Sequence, residues 1–295
     1  MSSAVATPEA VDSQGMNYLV SLPRRIVTIY LPLAAFVIVL LFPFYWMTIT
    51  ALKPNEELLS REGNPFWVIH PTLDHIKKLL FDTSYPEWLW NTVVISVVST
   101  CLSIFCSVLA AYAIERLRFR GSRYVGMSIF LAYLVPPSIL FIPLAAMVYK
   151  LDLFDTRLAL ILTYPTFLIP FCTWLMMGFF RSVPIEIEEA AWIDGCGVVG
   201  GLVRVVVPVS LPGIATTAMF AFILAMQEYL YAVVFSAPAE QKVVTVGLPT
   251  MLIRGDIFFW GALMAAGLLV GLPAALAFNL VIDRFIEGLT GAGDR

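Results

Sequence analysis

Side chains able to do covalent or metal chemistry are sparse in this sequence and poorly spaced for it. Cys101, Cys106, Cys172 and Cys196 form no CxxC pair, and three of them lie in apolar runs. Cysteines so placed read as small buried hydrophobes. His70 and His75 are the only histidines and share a polar segment with Pro71 and Asp74, a loop or short helix. They make a metal pair on paper only, from a weak signal. The apolar runs hold no cluster of His, Asp or Cys, which argues against a membrane-embedded enzyme. No G-x4-GK[ST] phosphate loop occurs, so the sequence offers no catalytic residue, no metal site and no nucleotide site of its own.

The carboxylates are more informative. Arg181–Pro212 reads RSVPIEIEEAAWIDGCGVVGGLVRVVVPVSLP. Pro184 suits the first turn of a helix. Glu186, Glu188 and Glu189 follow, where negative charge favours the positive end of the helix dipole. Gly195 is placed to end the helix in a left-handed cap. The segment therefore predicts a short helix over Pro184–Asp194, a sharp stop, and a second helical piece over Val198–Val207 leading to Pro208. Such a helix–turn–helix is either an interfacial amphipathic hairpin or a docking element for a partner. One further carboxylate, Glu228, follows Gln227 inside an apolar stretch. A charge there costs about 2.5–3.5 kcal/mol at the bilayer centre. Glu228 either faces a pore or a partner subunit, or reaches water at the interface.

The elements that must hold these residues are membrane helices. The chain has 295 residues, 60% of them hydrophobic and only 13% charged, with a mean hydropathy of +0.86. Soluble domains carry about 25% charged residues. The net charge of −3 provides no basic footprint for nucleic acid. Spanning a bilayer takes about 20 apolar residues. Six stretches qualify: Ile26–Leu52, Trp88–Ile114, Tyr124–Tyr149, Leu158–Phe180, Val205–Gln227 (entering the membrane near Leu211 and running past Glu228) and Ile257–Ile282. All are too long and too uniformly apolar for barrel strands, so the fold is an all-α integral membrane bundle. The first apolar run exceeds a signal-peptide core, which predicts a retained helix after a loose tail over residues 1–22.

Lys and Arg set the orientation. The short loop Glu115–Arg123 carries Arg116, Arg118, Arg120 and Arg123, which places it, and both termini, in the cytoplasm. The Arg181–Pro212 loop is then cytoplasmic too. The expected organisation is a tail over 1–25, a first span over 26–52, an extracytoplasmic segment over 53–87, a core over 88–282 containing the loop 181–211, and a cytoplasmic tail over 283–295. Pro136, Pro137, Pro143, Pro165, Pro170 and Pro273 interrupt the spans. Each frees a carbonyl that lipid cannot satisfy, so these helices must pack on protein or line a wet cavity. Six spans, three of them so interrupted, with little mass outside the membrane point to transport. No half-length repeat is visible, which weighs against an inverted-repeat secondary transporter.

The loop also carries a resemblance. Glu189-Ala190-Ala191, Gly195 four positions on, and Val205-Val206-Val207-Pro208 resemble the EAA-x3-G-x9-I-x-L-P loop of ABC importer permeases, with Val205 and Val207 as mild departures. Asn91-Thr92, Ala110-Ala111-Tyr112-Ala113 and Arg118-Phe119-Arg120-Gly121 resemble the second span and following loop of the maltose-type (MalG-like) group. Lys53-Pro54-Asn55-Glu56-Glu57-Leu58 is similar to its post-helix segment, and Met226-Gln227-Glu228-Tyr229 stands where it has a W-N-E-F-like stretch. Arg284 to Ala292 is similar to its R-F-x-x-G-L-T-x-G-A ending.

The resemblance implies a type I importer permease fold in a bacterial inner membrane. It implies a heterodimer with a second permease, two cytoplasmic ATPases that bind ATP and Mg, an extracytoplasmic solute-binding protein, and lipid around the spans. Pro184–Gly195 would be a coupling helix in which Glu188, Glu189, Ala190, Ala191, Asp194, Gly195 and, beyond it, Pro208 serve ATPase coupling. Gly288, Leu289, Thr290 and Gly291 would touch the ATPases from the tail, and Gln227 and Glu228 would border the translocation path. The implied cargo is a sugar or sugar-like solute such as a polyol or glycerol phosphate. The alternatives are an importer of another solute and an ion-coupled secondary transporter, which would need ionisable residues at mid-membrane; only Glu228 qualifies.

Overall fold

A computed structural model describes residues 22–60, 63–117, 119–254 and 257–290. The expected tail over residues 1–21 lies outside the described residues, as do Arg61, Arg118 and Arg295. Helix α1 (Leu22–Leu52) includes residues 22–25, the end of the expected tail. It is exposed along most of its length and packs through its C-terminal part on the last helix. Lys53 and Pro54 end it. Two short helices follow, α2 (Asn55–Leu59) and α3 (Asp74–Phe81). His75 lies on α3 with Nε2 2.8 Å from the Lys53 carbonyl, pinning α3 under the end of α1. His70 is exposed, and no group of three His, Cys, Asp or Glu that could hold a metal occurs among the described residues.

Helix α4 (Tyr85–Glu115) is the spine of the bundle. It starts three residues before the expected span because Tyr85 and Pro86 form its first turn. Its buried face is a stripe of small and hydroxylic residues: Thr92, Ser96, Ser99, Ser103, Ser107 and Ala111. Small residues three and four apart let two helix backbones approach closely where no hydrophobic force drives helices together. The partner is α7 (Arg157–Ser182), and Ser107 donates to its Ile169 carbonyl at 3.2 Å. Cys172 of α7 is fully buried, as expected, whereas Cys101 lies on the exposed face of α4. The difference arises because α4 turns its hydroxyls inward and its larger apolar residues outward.

Two expected spans are broken. The third is α5 (Ser122–Leu134) and α6 (Pro137–Lys150), bent by 93°. Pro136 and Pro137 supply no N–H, and Val135 and Pro136 are extended. The fifth is α9 (Val198–Val209) and α10 (Leu211–Met226), bent by 77° just before Pro212. Helix α10 ends at Met226 and does not run past Glu228; the chain resumes as α11 (Leu230–Phe235) and α12 (Val244–Leu252). A strand pair then matches Ile253 with Phe258 and Arg254 with Ile257, a four-residue exception to the all-helical reading. Helix α13 (Trp260–Thr290) starts later than the expected sixth span and continues through 283–290, which were expected as tail.

The end of the bundle holding α2 and α3 is closed by a loop over Ala239–Gln241. Asn91, fully buried, donates to the Glu240 and Lys242 carbonyls at 2.7 and 2.9 Å. Trp88 donates to Ala239 at 2.8 Å. Asn91→Ala would leave both carbonyls of Glu240 and Lys242 without this donor, a cost of about 1–3 kcal/mol. The expected result is a lower unfolding midpoint in detergent and faster proteolysis near Glu240, with helix content unchanged. An unaltered midpoint and cleavage rate would show that the loop holds without it.

Candidate functional site

The Arg181–Pro212 segment folds as its residues suggest. Helix α8 (Ile185–Ile193) begins after Pro184, which caps it from outside with extended ψ of 133° instead of occupying its first turn. Its end is a complete left-handed cap. Cys196 N donates to the Ala191 carbonyl at 2.9 Å and Gly195 N to Trp192 at 3.1 Å, with Gly195 at φ +89°. That double bond pattern satisfies the last carbonyls and turns the chain sharply. Only glycine takes such a φ without strain. The chain then enters α9, whose Leu202–Val206 stretch is wound as a π-helix. Pro208 sits exposed near its end.

The carboxylates of α8 divide. Glu186, Glu189 and Asp194 are exposed, together with Ala190, Ile187, Trp192 and Ile193, the last at 87%. Ala191 is half-buried. Glu188 points the other way and is fully buried. It accepts a short hydrogen bond from Tyr112 Oη, and its other oxygen lies 3.5 Å from Arg116 Nε. Arg116 Nη2 donates at 2.7 Å to both the Phe180 and the Val183 carbonyls. Tyr112 Oη also lies 3.1 Å from the Val198 carbonyl. So one carboxylate ties α8 to the end of α4, the end of α7 and the start of α9. An exposed bidentate pair, Arg181 with Glu115 at 2.7 and 2.9 Å, adds a second strap between α4 and α7.

The expectation that Glu188 faces a partner therefore needs correcting: its partners are Tyr112 and Arg116 of the same chain. Sequence reading missed both. No local signal could have found them: Tyr112 and Arg116 stand one helical turn apart at the end of α4, more than seventy positions before Glu188, and their spacing alone does not announce a buried anion. Gly201 belongs to the same junction. A Cβ there would stand 3.0 Å from Trp192 Nε1 and 3.4 Å from Glu188 Cγ, so α9 crosses α8 at a distance that only glycine permits comfortably.

Gln227 and Glu228 lie in the break between α10 and α11. Glu228 accepts from Tyr231 N at 3.0 Å and Ala232 N at 3.2 Å, capping α11, while its carbonyl accepts from Thr245 Oγ1 at 2.8 Å. The carboxylate thus has a local partner set at a helix start, where negative charge is favoured. Glu228→Leu is expected to lower uptake strongly while the protein still inserts, and Glu228→Gln, which retains one acceptor oxygen, to lower it less. Uptake assays on both would decide, and equal full uptake would leave Glu228 without a part in transport. Gly288, Leu289 and Thr290 are helical within α13, and Gly291 lies outside the described residues.

Comparison with known proteins places this arrangement. Residues 103–290 match the family model described as binding-protein-dependent transport system inner membrane component. The chain is 34% identical over 255 residues to the sulfoquinovosyl glycerol transport system permease protein SmoH of Agrobacterium fabrum, covering 86% of this chain and 88% of that one. It is 29% identical over 256 residues to the trehalose/maltose transport system permease protein MalG of Thermococcus litoralis, covering 86% and 91%. Its fold matches a chain from the crystal structure of a bacterial ABC transporter involved in the import of the acidic polysaccharide alginate, with a TM-score of 0.76 at 18% identity, covering 96% of this chain and all of that one.

Proposed function

The chain belongs to the binding-protein-dependent transport system inner membrane components, and we propose that it carries a sugar or sugar-like solute, with α8 as the element that couples it to ATP hydrolysis. It is a multi-pass permease of an ABC importer. In this reading it forms the path with a second permease. Two cytoplasmic ATPases bind the ATP and Mg, and an extracytoplasmic binding protein delivers the solute. Relatives that carry sulfoquinovosyl glycerol and trehalose or maltose support a carbohydrate cargo. The ion-coupled alternative is set aside by the family match.

The observation that carries the coupling assignment is the two-faced α8. Glu189, Ala190, Trp192 and Ile193 are presented outward, and Glu188 bolts the inner face to three other elements. A short capped helix fixed in this way transmits a rigid-body displacement that a loose loop would absorb. The exposed Ile187, Trp192 and Ile193 suit a partner's apolar groove. The arginines near α5, with Arg24 and Arg25 at the start of α1, support a cytoplasmic position for this end and for both termini. The tail Gly288–Gly291 is assigned a contact with the same ATPases on the strength of the family ending alone.

The test is purification of the tagged chain from its native membrane, followed by reconstitution in vesicles with whatever co-purifies. A second permease, an ATPase and a binding protein are expected, with ATP-dependent uptake of trehalose, maltose or sulfoquinovosyl glycerol. A tagged chain that carried solute without any ATPase would overturn the assignment. A reporter fused after Arg295 checks orientation separately: it should be active only as a cytoplasmic fusion.

A further inference from the structure

We infer that the cavity between the start of α5 and the end of α7 holds one acidic phospholipid, with its phosphate at Arg123 and Arg181 and the upper part of one acyl chain reaching Phe130 and Trp174. The inference goes beyond the importer reading: it takes the cytoplasmic placement of this end from there and needs no particular cargo. The cavity measures about 610 Å³. Pockets of roughly 300–1,000 Å³ take drug-sized ligands. There is room for a phosphate, its glycerol and the first part of one chain, with the rest of the lipid in the bilayer.

The lining changes from charged to aromatic over two helical turns on both walls. On α5, Ser122 and Arg123 stand in the first turn and Phe130 lies seven residues beyond Arg123. On α7, Arg181 stands in the last turn and Trp174 lies seven residues before it. Seven helical residues rise about 10 Å. The two walls are in register, because the rings of Phe130 and Trp174 meet with centroids 5.7 Å apart. Gly126 lets α5 close on α7 along one edge, where an added Cβ would stand 2.9 Å from Met177 Cε. Gly178 leaves space, since a Cβ there would meet nothing within 4 Å. A polar mouth above an apolar slot is the grade of a lipid at the interface, headgroup outermost and chain inward.

The charges select the kind of lipid. Arg181 gives Nε and Nη2 to Glu115 at 2.9 and 2.7 Å, which leaves its Nη1 free. Arg123 has no ion-pair partner among the described residues. Two arginines against one glutamate give the mouth one net positive charge, which the single phosphodiester of an acidic lipid neutralises. A zwitterionic lipid brings no net charge and sets its ammonium group beside the guanidinium groups. Guanidinium N–H groups suit phosphate oxygens, and basic pockets between membrane helices on the cytoplasmic side hold acidic headgroups. A soluble anion would use the mouth and leave the aromatic end of the slot unfilled.

The experiment uses the tagged full chain with whatever co-purifies, stripped of lipid in detergent and titrated with phosphatidylglycerol or phosphatidylcholine of the same chains. Native mass spectrometry counts the lipid retained. One phosphatidylglycerol per chain should be held at roughly tenfold lower lipid concentration than any phosphatidylcholine. Arg123→Gln removes the unpaired charge, and Gly178→Leu fills the slot with every charge kept. Each should raise the phosphatidylglycerol concentration needed by about tenfold, with the subunits unchanged. Phosphatidylglycerol with a photoreactive group in its upper chain should label segments 123–130 and 174–181 of the wild type, but not of Gly178→Leu. Equal retention of the two lipids, or unchanged retention of phosphatidylglycerol in both variants, would overturn the site. Displacement of the lipid by inorganic phosphate at matched concentration would make it a soluble-anion site and also overturn it. So would a wild type that takes up no phosphatidylglycerol while Gly178→Leu loses a subunit, since the cavity would then be a subunit contact. The count needs no transport, so a chain that brought down no ATPase would defeat the importer reading and leave this test standing.

Discussion

Gly195→Val is expected to abolish ATP-driven uptake while the protein still inserts and purifies from the membrane. Gly195 holds φ at +89° to complete the cap that ends α8. A β-branched residue there is strained by on the order of 1 kcal/mol or more. Space is not the obstacle, because a Cβ at Gly195 would meet nothing within 4 Å. The damage is conformational: the strained cap reopens, α8 extends or frays, and α9 leaves in another direction. Ala191→Leu should reach the same outcome by bulk, holding α8 out of its partner's groove. Uptake, ATP hydrolysis and ATPase co-purification measured on the same preparations check both. Either the ATPase is lost or it turns over without uptake. Full uptake with normal ATPase retention in both variants would reduce the loop to an interfacial hairpin.

Glu188→Ala should be the most destabilising single change at this end of the bundle. It removes one partner of a buried ion pair and leaves the Arg116 guanidinium, whose side chain is 7% exposed, with no anion. Breaking a buried pair from one side costs about 3–5 kcal/mol. Tyr112→Phe deletes only the hydroxyl and should cost about 1–3 kcal/mol. The two effects should not add, because both act through the same carboxylate. The functional expectation differs from the thermal one. In Tyr112→Phe the fold survives, but α8 is held to α4 by one group fewer, so ATP hydrolysed per solute carried should rise. A lower unfolding midpoint with an unchanged ratio would make the cluster a matter of stability alone.

Most of α8 could be read from the sequence because its determinants are local. Pro184, the acidic first turn and Gly195 each act within a few residues, and the structure places the helix over Ile185–Ile193. The inward turn of Glu188 could not be read that way, because it depends on Tyr112 and Arg116, more than seventy positions earlier. The six apolar stretches were legible from length and charge, but the 93° and 77° bends were not. Prolines announce a freed carbonyl without saying how far the helix axis will swing. The hydroxyl stripe of α4 was hidden for a different reason: serines spread through an apolar run lower its hydropathy a little and carry no turn signal. The end of α10 at Met226 escaped because Gln227 and Glu228 are good helix formers, and only the Tyr231 and Ala232 amides show that Glu228 caps a new helix.

The pairing of α1 with α13 sets an order of events during synthesis. Among the described helices, the earliest to be synthesised finds its main tertiary partner in the last one. The interval between Leu52 and Trp260 is about 200 residues, roughly 10–40 seconds at ~5–20 residues per second. Throughout that time α1 must wait in lipid as an independent span, which its uninterrupted apolar surface allows. A nascent chain arrested after α10 would hold an unmated α1, a state that membrane quality control could recognise before any subunit had assembled.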